Sequence, residues 1–310
     1  MTVEVSVCIC TFRRPALLDA LLGVLAAQRQ EDAAVEFVVV DNDPAGSARA
    51  VLDAWAQRLP LRRVHLPRPN IAAARNAAVA AARGMWIAFI DDDEQPDPGW
   101  LAALRRCQQV HAADAVFGPV VPRHVPGTPA WLVRGGFFDR PRHPTGTPIG
   151  TGEARTGNVL LRRADLQSVA AAAGREGPFD EAFGRTGAED TVLFHALHAR
   201  GARFVWCDEA SVQEEVPAAR ANVGWLLRRS YRLGQTYVLS ELVRRRGAAR
   251  LARGAWLAMR ALAQAGVALL LAIAWLPLSR IRAMRWLRAL AAQAGKLSAL
   301  SGHRYHEYGD

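Results

Sequence analysis

Cysteine is scarce in this chain, and glycine-rich phosphate loops are missing. The four cysteines, Cys8, Cys10, Cys107 and Cys207, have neither metal-ligand nor redox spacing, so they read as reduced core residues of a cytosolic domain. No Walker A sequence and no G-x-G-x-x-G follows the first apolar run. Any phosphate must therefore be held by a metal and side chains, not by a glycine cradle. The first residues show no basic stretch followed by an apolar one, which predicts no signal peptide and a cytoplasmic setting for the polar cluster described below. Arginine supplies nearly all of the positive charge, beside a single lysine, Lys296.

The 310 residues, 51% of them hydrophobic, give room for one large α/β domain plus an appendage and exclude wholesale disorder. The net charge of +10 is unevenly spread: residues 1–219 carry 23 basic and 26 acidic side chains, residues 220–310 carry 16 and 3. All of the excess positive charge lies in the last part, which predicts an anionic partner there, a membrane surface or nucleic acid.

The chemistry concentrates in Met85-Trp86-Ile87-Ala88-Phe89-Ile90-Asp91-Asp92-Asp93-Glu94, a buried-type strand that runs into four consecutive carboxylates. Like charges this close force protonation unless a cation sits among them. A hard divalent ion that keeps waters and holds a diphosphate is the simplest occupant, and a solvated acidic loop is the plain alternative.

Residues 3–11 read as a central strand, followed by a helix with Pro15 near its first turn and Leu17, Leu18, Leu21, Leu22 and Leu25 on one stripe. Strands at 36–41, 62–66 and 85–90 alternate with helices at 47–58 and up to residue 83, which predicts a doubly wound, mostly parallel sheet. Ligands of such sheets bind outside the carboxyl ends of the strands. That edge collects Thr11, Asp41, Asn70 and the acids 91–94, with Arg75 and Asn76 one turn into the next helix. A nucleotide fits this set: Asp41 can accept from a base N–H, Arg75 can meet phosphate, and the metal can bridge the diphosphate.

Four stretches then fall into register: Val5-Ser6-Val7-Cys8-Ile9-Cys10-Thr11-Phe12-Arg13-Arg14-Pro15, Val38-Val39-Val40-Asp41-Asn42, Asn70-Ile71-Ala72-Ala73-Ala74-Arg75-Asn76 and Phe89-Ile90-Asp91-Asp92-Asp93. Their succession resembles the motifs of family 2 glycosyltransferases with the GT-A fold, and within them is similar to bacterial exopolysaccharide glucosyltransferases of the succinoglycan type. The resemblance implies that Asp41 binds the base, usually uracil, that Asp91 approaches the ribose, and that Asp93, with Asp91, ligates Mg²⁺ or Mn²⁺. Thr11, Arg13, Arg75, Asp92 and Asn158 complete the implied nucleotide-sugar site, Asn158 from a Gly-Asn strand lying against donor and acceptor. Glu94 stands where many relatives have another Asp, facing either donor sugar or solvent.

Residues 122–156 are rich in Pro and Gly, with Trp131, Phe137, Phe138 and His143 interspersed, and read as a long lid or substrate wall. At Thr186-Gly187-Ala188-Glu189-Asp190, Thr186 and Glu189 make a capping box, while the resemblance makes Asp190 the general base of an inverting transfer, with Glu189 as second choice. On a later helix Arg228, Arg229 and Arg232 are expected to share one side; Arg229 and Arg232 are set to clamp a leaving diphosphate, to touch anionic lipid, or simply to face solvent. The family's Gln-x-x-Arg-Trp motif is not found there.

The sequence thus divides into a catalytic domain at 1–219 and a basic helical region at 220–310. From residue 261 to 278 only Gln264 interrupts an apolar run, barely long enough to span a bilayer. Ile281, Met284, Leu287, Leu290, Ala294 and Leu297 then form a stripe beside Arg282, Arg285 and Lys296, the pattern of a helix lying in the interface. A membrane-associating segment at about 255–300, attached without spanning to the inner leaflet, places the enzyme on the cytoplasmic face of the inner membrane, with anionic lipids and a lipid-linked glycan as partners and no nucleic acid. A nucleotidyltransferase and a non-catalytic basic nucleic-acid or membrane binder are the competing readings.

Overall fold

In the computed structural model, which describes residues 3–28, 34–184, 187–243 and 245–303, the first four predicted strands lie side by side. They are β1 (Val5–Thr11), β2 (Val35–Asp41), β3 (Leu61–His65) and β4 (Trp86–Ile90), all parallel, in the order β3-β2-β1-β4. The intervening crossovers are α1 (Pro15–Ala27), α2 (Arg49–Trp55) and α3 (Ile71–Ala81). Past β4 the sheet continues with β8 (Asn158–Arg162), antiparallel to both neighbours, then β6 (Ala115–Phe117) and β9 (Phe204–Trp206). The fold is therefore the expected mostly parallel α/β sheet, with one strand reversed.

The pleat divides the core in two. Val7, Ile9 and Ile90 pack with Leu18, Leu21 and Trp55, and with Trp100 and Leu104 of α4 (Trp100–His111). Cys8, Val38 and Phe89 pack on the opposite side with α3, α6 (Arg163–Ala172) and α7 (Glu189–Ala199). All four cysteines are free thiols.

A small second sheet joins β5 (Glu94–Pro96), β10 (Val212–Val216) and β7 (Val120–His124). Only two residues separate β6 from β7, yet the two strands lie in different sheets. Gly118 makes the switch, since a Cβ there would lie 2.1 Å from the Ala210 carbonyl oxygen. Residues 122–156 are likewise no open lid. They contain the rest of β7 and α5 (Ala130–Gly135), and Phe137 and Phe138 are buried with Leu132, Leu226 and Met284 in a third apolar cluster that Trp131 joins. Trp131 and Phe137 pin the segment down, and Phe138 does so while also facing the cavity described below. His143 bonds Glu153 and meets the Trp206 ring edge-on.

Three long helices close the chain: α8 (Val223–Val243), α9 (Gly247–Trp275) and α10 (Arg280–Leu300). α10 runs beside α8 in the same direction, Arg288 donating to Ser230 Oγ at 3.2 Å and Tyr231 bonding Ser298 at 2.5 Å. Glycines let the two backbones meet: a Cβ on Gly234 would sit 2.0 Å from the Ala292 carbonyl oxygen, and one on Gly295 would sit 1.9 Å from that of Tyr231. A side chain at either position forces the helices apart.

The stripe on α10 is not a lipid face. Met284 is buried, and Ile281 and Leu287 pack with it against α5 and α8, while Arg285 donates to Gly135 O and Arg280 covers the Trp131 ring. α9 doubles back along α10, with Gly254 near Leu300 and Arg282 over Trp275, and it is α9 that leaves apolar side chains in the open. Leu251 and Leu270 are 76% and 69% exposed, Met259, Leu262, Val267 and Ile273 join them, and Leu278 in the turn just past the helix is 73% exposed. It is the one helix among the described residues long and apolar enough to cross a membrane, with a mean hydropathy of 1.9 over its most apolar window.

Candidate active site

The carboxyl ends of β1 and β4 open into a cavity of about 610 Å³, walled by Thr11, Arg14, Arg75, Asp91, Asp92 and Asp93 and roofed by Phe138, Arg140, Glu214, Arg220, Trp225, Arg229 and Arg232. The roof comes from the 122–156 segment, β10 and the start of α8, so residues on both sides of position 219 line one site. Helix geometry sets the α8 contribution: Trp225, Arg229 and Arg232 recur at four and three residues and face inward, whereas Arg228, one residue from Arg229, points away and is exposed. Trp225 stacks on Phe138 with ring centres 5.5 Å apart, and Arg229 lies 5.2 Å from the Trp225 ring. Burial brings the Arg229 guanidinium down to about 10, with Arg140, Arg232 and Arg288 adding to the fall and Glu214 opposing it. Positive charge so crowded favours an anionic ligand.

The acidic cluster is bound up with arginines. Arg14 reaches Asp92 Oδ1 at 3.1 Å and Asp93 Oδ2 at 3.0 Å, and Arg220 bridges Asp93 (3.6 Å) and Glu214 (3.0 Å), which also accepts from Arg140 at 2.9 Å. Thr11 Oγ1 donates to Asp92 Oδ2 at 2.8 Å. Burial lifts the Asp92 carboxyl to about 6 against the pull of Arg14 and Thr11. Glu94 does not face solvent: it is buried off the cavity wall, Oε2 accepts from the Asp91 amide at 3.0 Å, and burial together with Asp91 pushes its carboxyl well up.

Among the described residues no group of three or more His, Cys, Asp or Glu is arranged to hold a metal ion. A donor-bound Mg²⁺ or Mn²⁺ does not need one, because such ions keep waters and take one or two carboxylates plus substrate phosphates. Asp91, with its side chain 45% exposed, and Asp93 supply that hard-oxygen pair on the cavity wall, so the residues present fit the ion.

Several residues expected at the donor do not line this cavity. Arg13, in the left-handed region (φ 57°), turns outward to pair with Asp43, and it is Arg14 that enters the cavity. Asp41 is buried off the wall, its oxygens taken by the amides of Asp43 (3.0 Å) and Ala48 (2.9 Å) that close the turn after β2. Asn158 is a brace: its oxygen accepts from Trp100 Nε1 at 2.8 Å and its amide donates to Ala210 O at 2.7 Å and Pro119 O at 3.1 Å. The expected capping box involves Thr186, which lies outside the described residues, and so cannot be placed around Glu189. α7 starts at Glu189 with Ala188 at the N-cap and no side-chain cap. Glu189 Oε1 instead accepts from Arg75 at 2.5 Å, and burial pushes its carboxyl up to about 7 against the pull of Arg75, with Asp190 adding to the rise. Asp190 is half-buried and accepts from the amide and hydroxyl of Thr191. It lies outside the cavity wall but close enough to help hold Arg75 protonated, behind Glu189 and Asp91.

The sequence profile described as "Glycosyl transferase family 2" matches residues 6–169, which include β1 to β4 and the acidic cluster. Over 306 residues the chain is 35% identical to "Succinoglycan biosynthesis protein ExoM" of Rhizobium meliloti (strain 1021), covering 97% of this chain and 94% of that one. The chain belongs to glycosyltransferase family 2. Membership decides among the competing readings in favour of sugar transfer. A validoxylamine A glucosyltransferase of Streptomyces hygroscopicus subsp. limoneus is 31% identical over 232 residues, covering 63% of this chain but only 48% of that protein. Among solved structures, mannosyltransferase PcManGT from Pyrobaculum calidifontis, in complex with GDP-Man and Mn²⁺, superposes with a TM-score of 0.65 at 20% identity, over 96% of this chain and 87% of its own. S. aureus TarS 1–349 in complex with UDP-GlcNAc gives 0.56 at 16% identity, over 98% and 93%. At these identities the likeness concerns the fold, and the fold is GT-A.

Proposed function

We propose that this glycosyltransferase is metal-dependent and inverting, and moves glucose from a uridine diphosphate donor to a lipid-linked glycan during cell-surface polysaccharide synthesis. The observation that carries the reading is the cavity itself: two carboxylates at the end of β4, Asp91 and Asp93, face Arg229 and Arg232 across a space of nucleotide-sugar size. Asp91 and Asp93 would hold the ion, which when bound supplies charge neutralisation for the leaving diphosphate. Arg229 and Arg232 would bind the phosphate oxygens. Asp190 would take the proton of the acceptor hydroxyl as its oxygen bonds the anomeric carbon and the bond from that carbon to the nucleoside diphosphate breaks. The succinoglycan and validoxylamine relatives support the polysaccharide and glucose parts. Incubating the protein with a panel of nucleotide-sugars, Mn²⁺ and membrane extract tests this: release of UDP from UDP-glucose above all other donors is expected, and equal inertness toward all would refute it.

The acceptor and the location rest on α9. Its exposed apolar side chains are flanked by Arg253 and Arg260 over Trp256 and by Arg282 over Trp275, the arginine–aromatic border that suits an anionic leaflet. Because α9 lies along α10, and α10 is clamped to α5 and α8, attachment in the plane of the cytoplasmic leaflet suits it better than a crossing. The protein is expected to float with anionic vesicles in high salt. Leu270→Glu should reduce the bound fraction roughly tenfold or more, since a carboxylate at membrane depth costs ~2 kcal/mol. Release of the wild type by salt alone would refute insertion.

A further inference from the structure

The strip 70–76 does more than line the cavity, for it fastens the later segment 177–189 to the sheet. Asn70 caps α3 by accepting from the Ala73 amide at 3.0 Å, and its own amide donates to Glu181 O at 3.0 Å. The Ile71 amide donates to Gly184 O at 3.2 Å. Asn76 exchanges two hydrogen bonds of 2.9 Å with the backbone of Phe179. Gly177 and Gly184 allow this approach, because a Cβ on either would overlap Asn76 or Asn70.

Arg75 lies in the middle of this seam and is 8% exposed. Its guanidinium sits 5.8 Å from the Phe179 ring, donates to Glu189 Oε1 at 2.5 Å, and approaches Asp91 Oδ1 at 3.6 Å. Glu189 is itself 6% exposed, and its other oxygen, Oε2, is buried without a hydrogen-bond partner among the described residues. A helix start does not call for this, since an acid helps the dipole from the surface without the cost of burial. The contact that accounts for Glu189 is Arg75.

We propose that Glu189 is a positioning residue: by holding Arg75 it keeps the guanidinium from closing on Asp91, and so leaves Asp91 open to the divalent cation of the donor complex. Without Glu189, Arg75 is a buried cation in need of a partner. Asp91 is the carboxylate at hand, and a fork-to-fork pair would occupy the oxygens the ion needs. A residue that touches neither metal nor donor thereby sets the metal affinity. The proposal rests on the metal reading above.

The test is Mn²⁺ binding to the full chain, alone and with UDP, followed by the electron paramagnetic resonance of the free ion. Glu189→Asp keeps the charge but shortens the reach, and should weaken Mn²⁺ about tenfold, the scale seen when an outer partner of a metal ligand is lost. Glu189→Gln should do the same, and adding Arg75→Lys to it should restore affinity, because lysine keeps the charge but has no fork to lock Asp91. Turnover at saturating Mn²⁺ should stay near wild type in Glu189→Asp while the Mn²⁺ requirement rises. Unchanged Mn²⁺ affinity in Glu189→Asp, or no recovery with Arg75→Lys, overturns the proposal. Lost turnover at saturating metal overturns it too, by marking Glu189 as the base. If the glutamine variant unfolds, Glu189→Asp decides alone. Wild-type protein that binds no Mn²⁺ fails the metal reading and the proposal together, whereas a wild type that binds beside an indifferent variant fails the proposal only.

Discussion

Asp93→Asn is expected to lower nucleotide-sugar turnover by roughly 10³-fold, about 4 kcal/mol of transition-state free energy, because it removes a carboxylate that holds the ion neutralising the leaving diphosphate. The fold should survive. Asp93 stands on the cavity wall and not in the core, and its partly exposed partners Arg14 and Arg220 keep Asp92 and Glu214 when its charge is removed. Steady-state rates with Mn²⁺ and with chelator, beside thermal unfolding curves, give the answer. A variant that runs near the wild-type rate with chelator present would show that the acids do not serve a metal.

Asp190→Asn is expected to cost 10²- to 10⁴-fold in kcat, roughly the scale of a lost general base, with the donor KM little changed. A structural role predicts the opposite pattern. An acid that merely complements the helix dipole gives about 1 kcal/mol of stability or less, so its loss would lower the melting temperature and leave kcat alone. Measuring both separates the two, and the slow hydrolysis of donor by water should persist in the variant. Full kcat beside a lowered melting temperature would move the base elsewhere.

The doubly wound core was legible because its signals are local. Apolar runs, alternation of strand and helix, and the acids closing β4 can be read without knowing what they touch. Arg229 and Arg232 apart, the roof of the site was not legible, nor was the part of Arg14 in its wall, because these depend on long-range partners. Arg14 and Arg13 are adjacent in sequence, and only the left-handed turn at Arg13 decides which of them enters the cavity. Arg140, Glu214 and Arg220 carry no motif, and they meet because β10 is inserted between β5 and β7. Asp41 and Asn158 sit where a ligand contact was expected, yet backbone groups and Trp100 engage their polar atoms. The stripe on α10 has the periodicity of a membrane-surface helix, but periodicity cannot tell lipid from α8, and the glycine contacts show that α8 is the neighbour.

That crossing bears on how the enzyme can be handled. Arg229 and Arg232 ride on α8, which α10 braces through Gly234 and Gly295. Trimming the greasy tail to obtain a tractable preparation would strip α8 of its splint and let both arginines drift. A dead truncation would then say nothing about whether catalysis requires a bilayer.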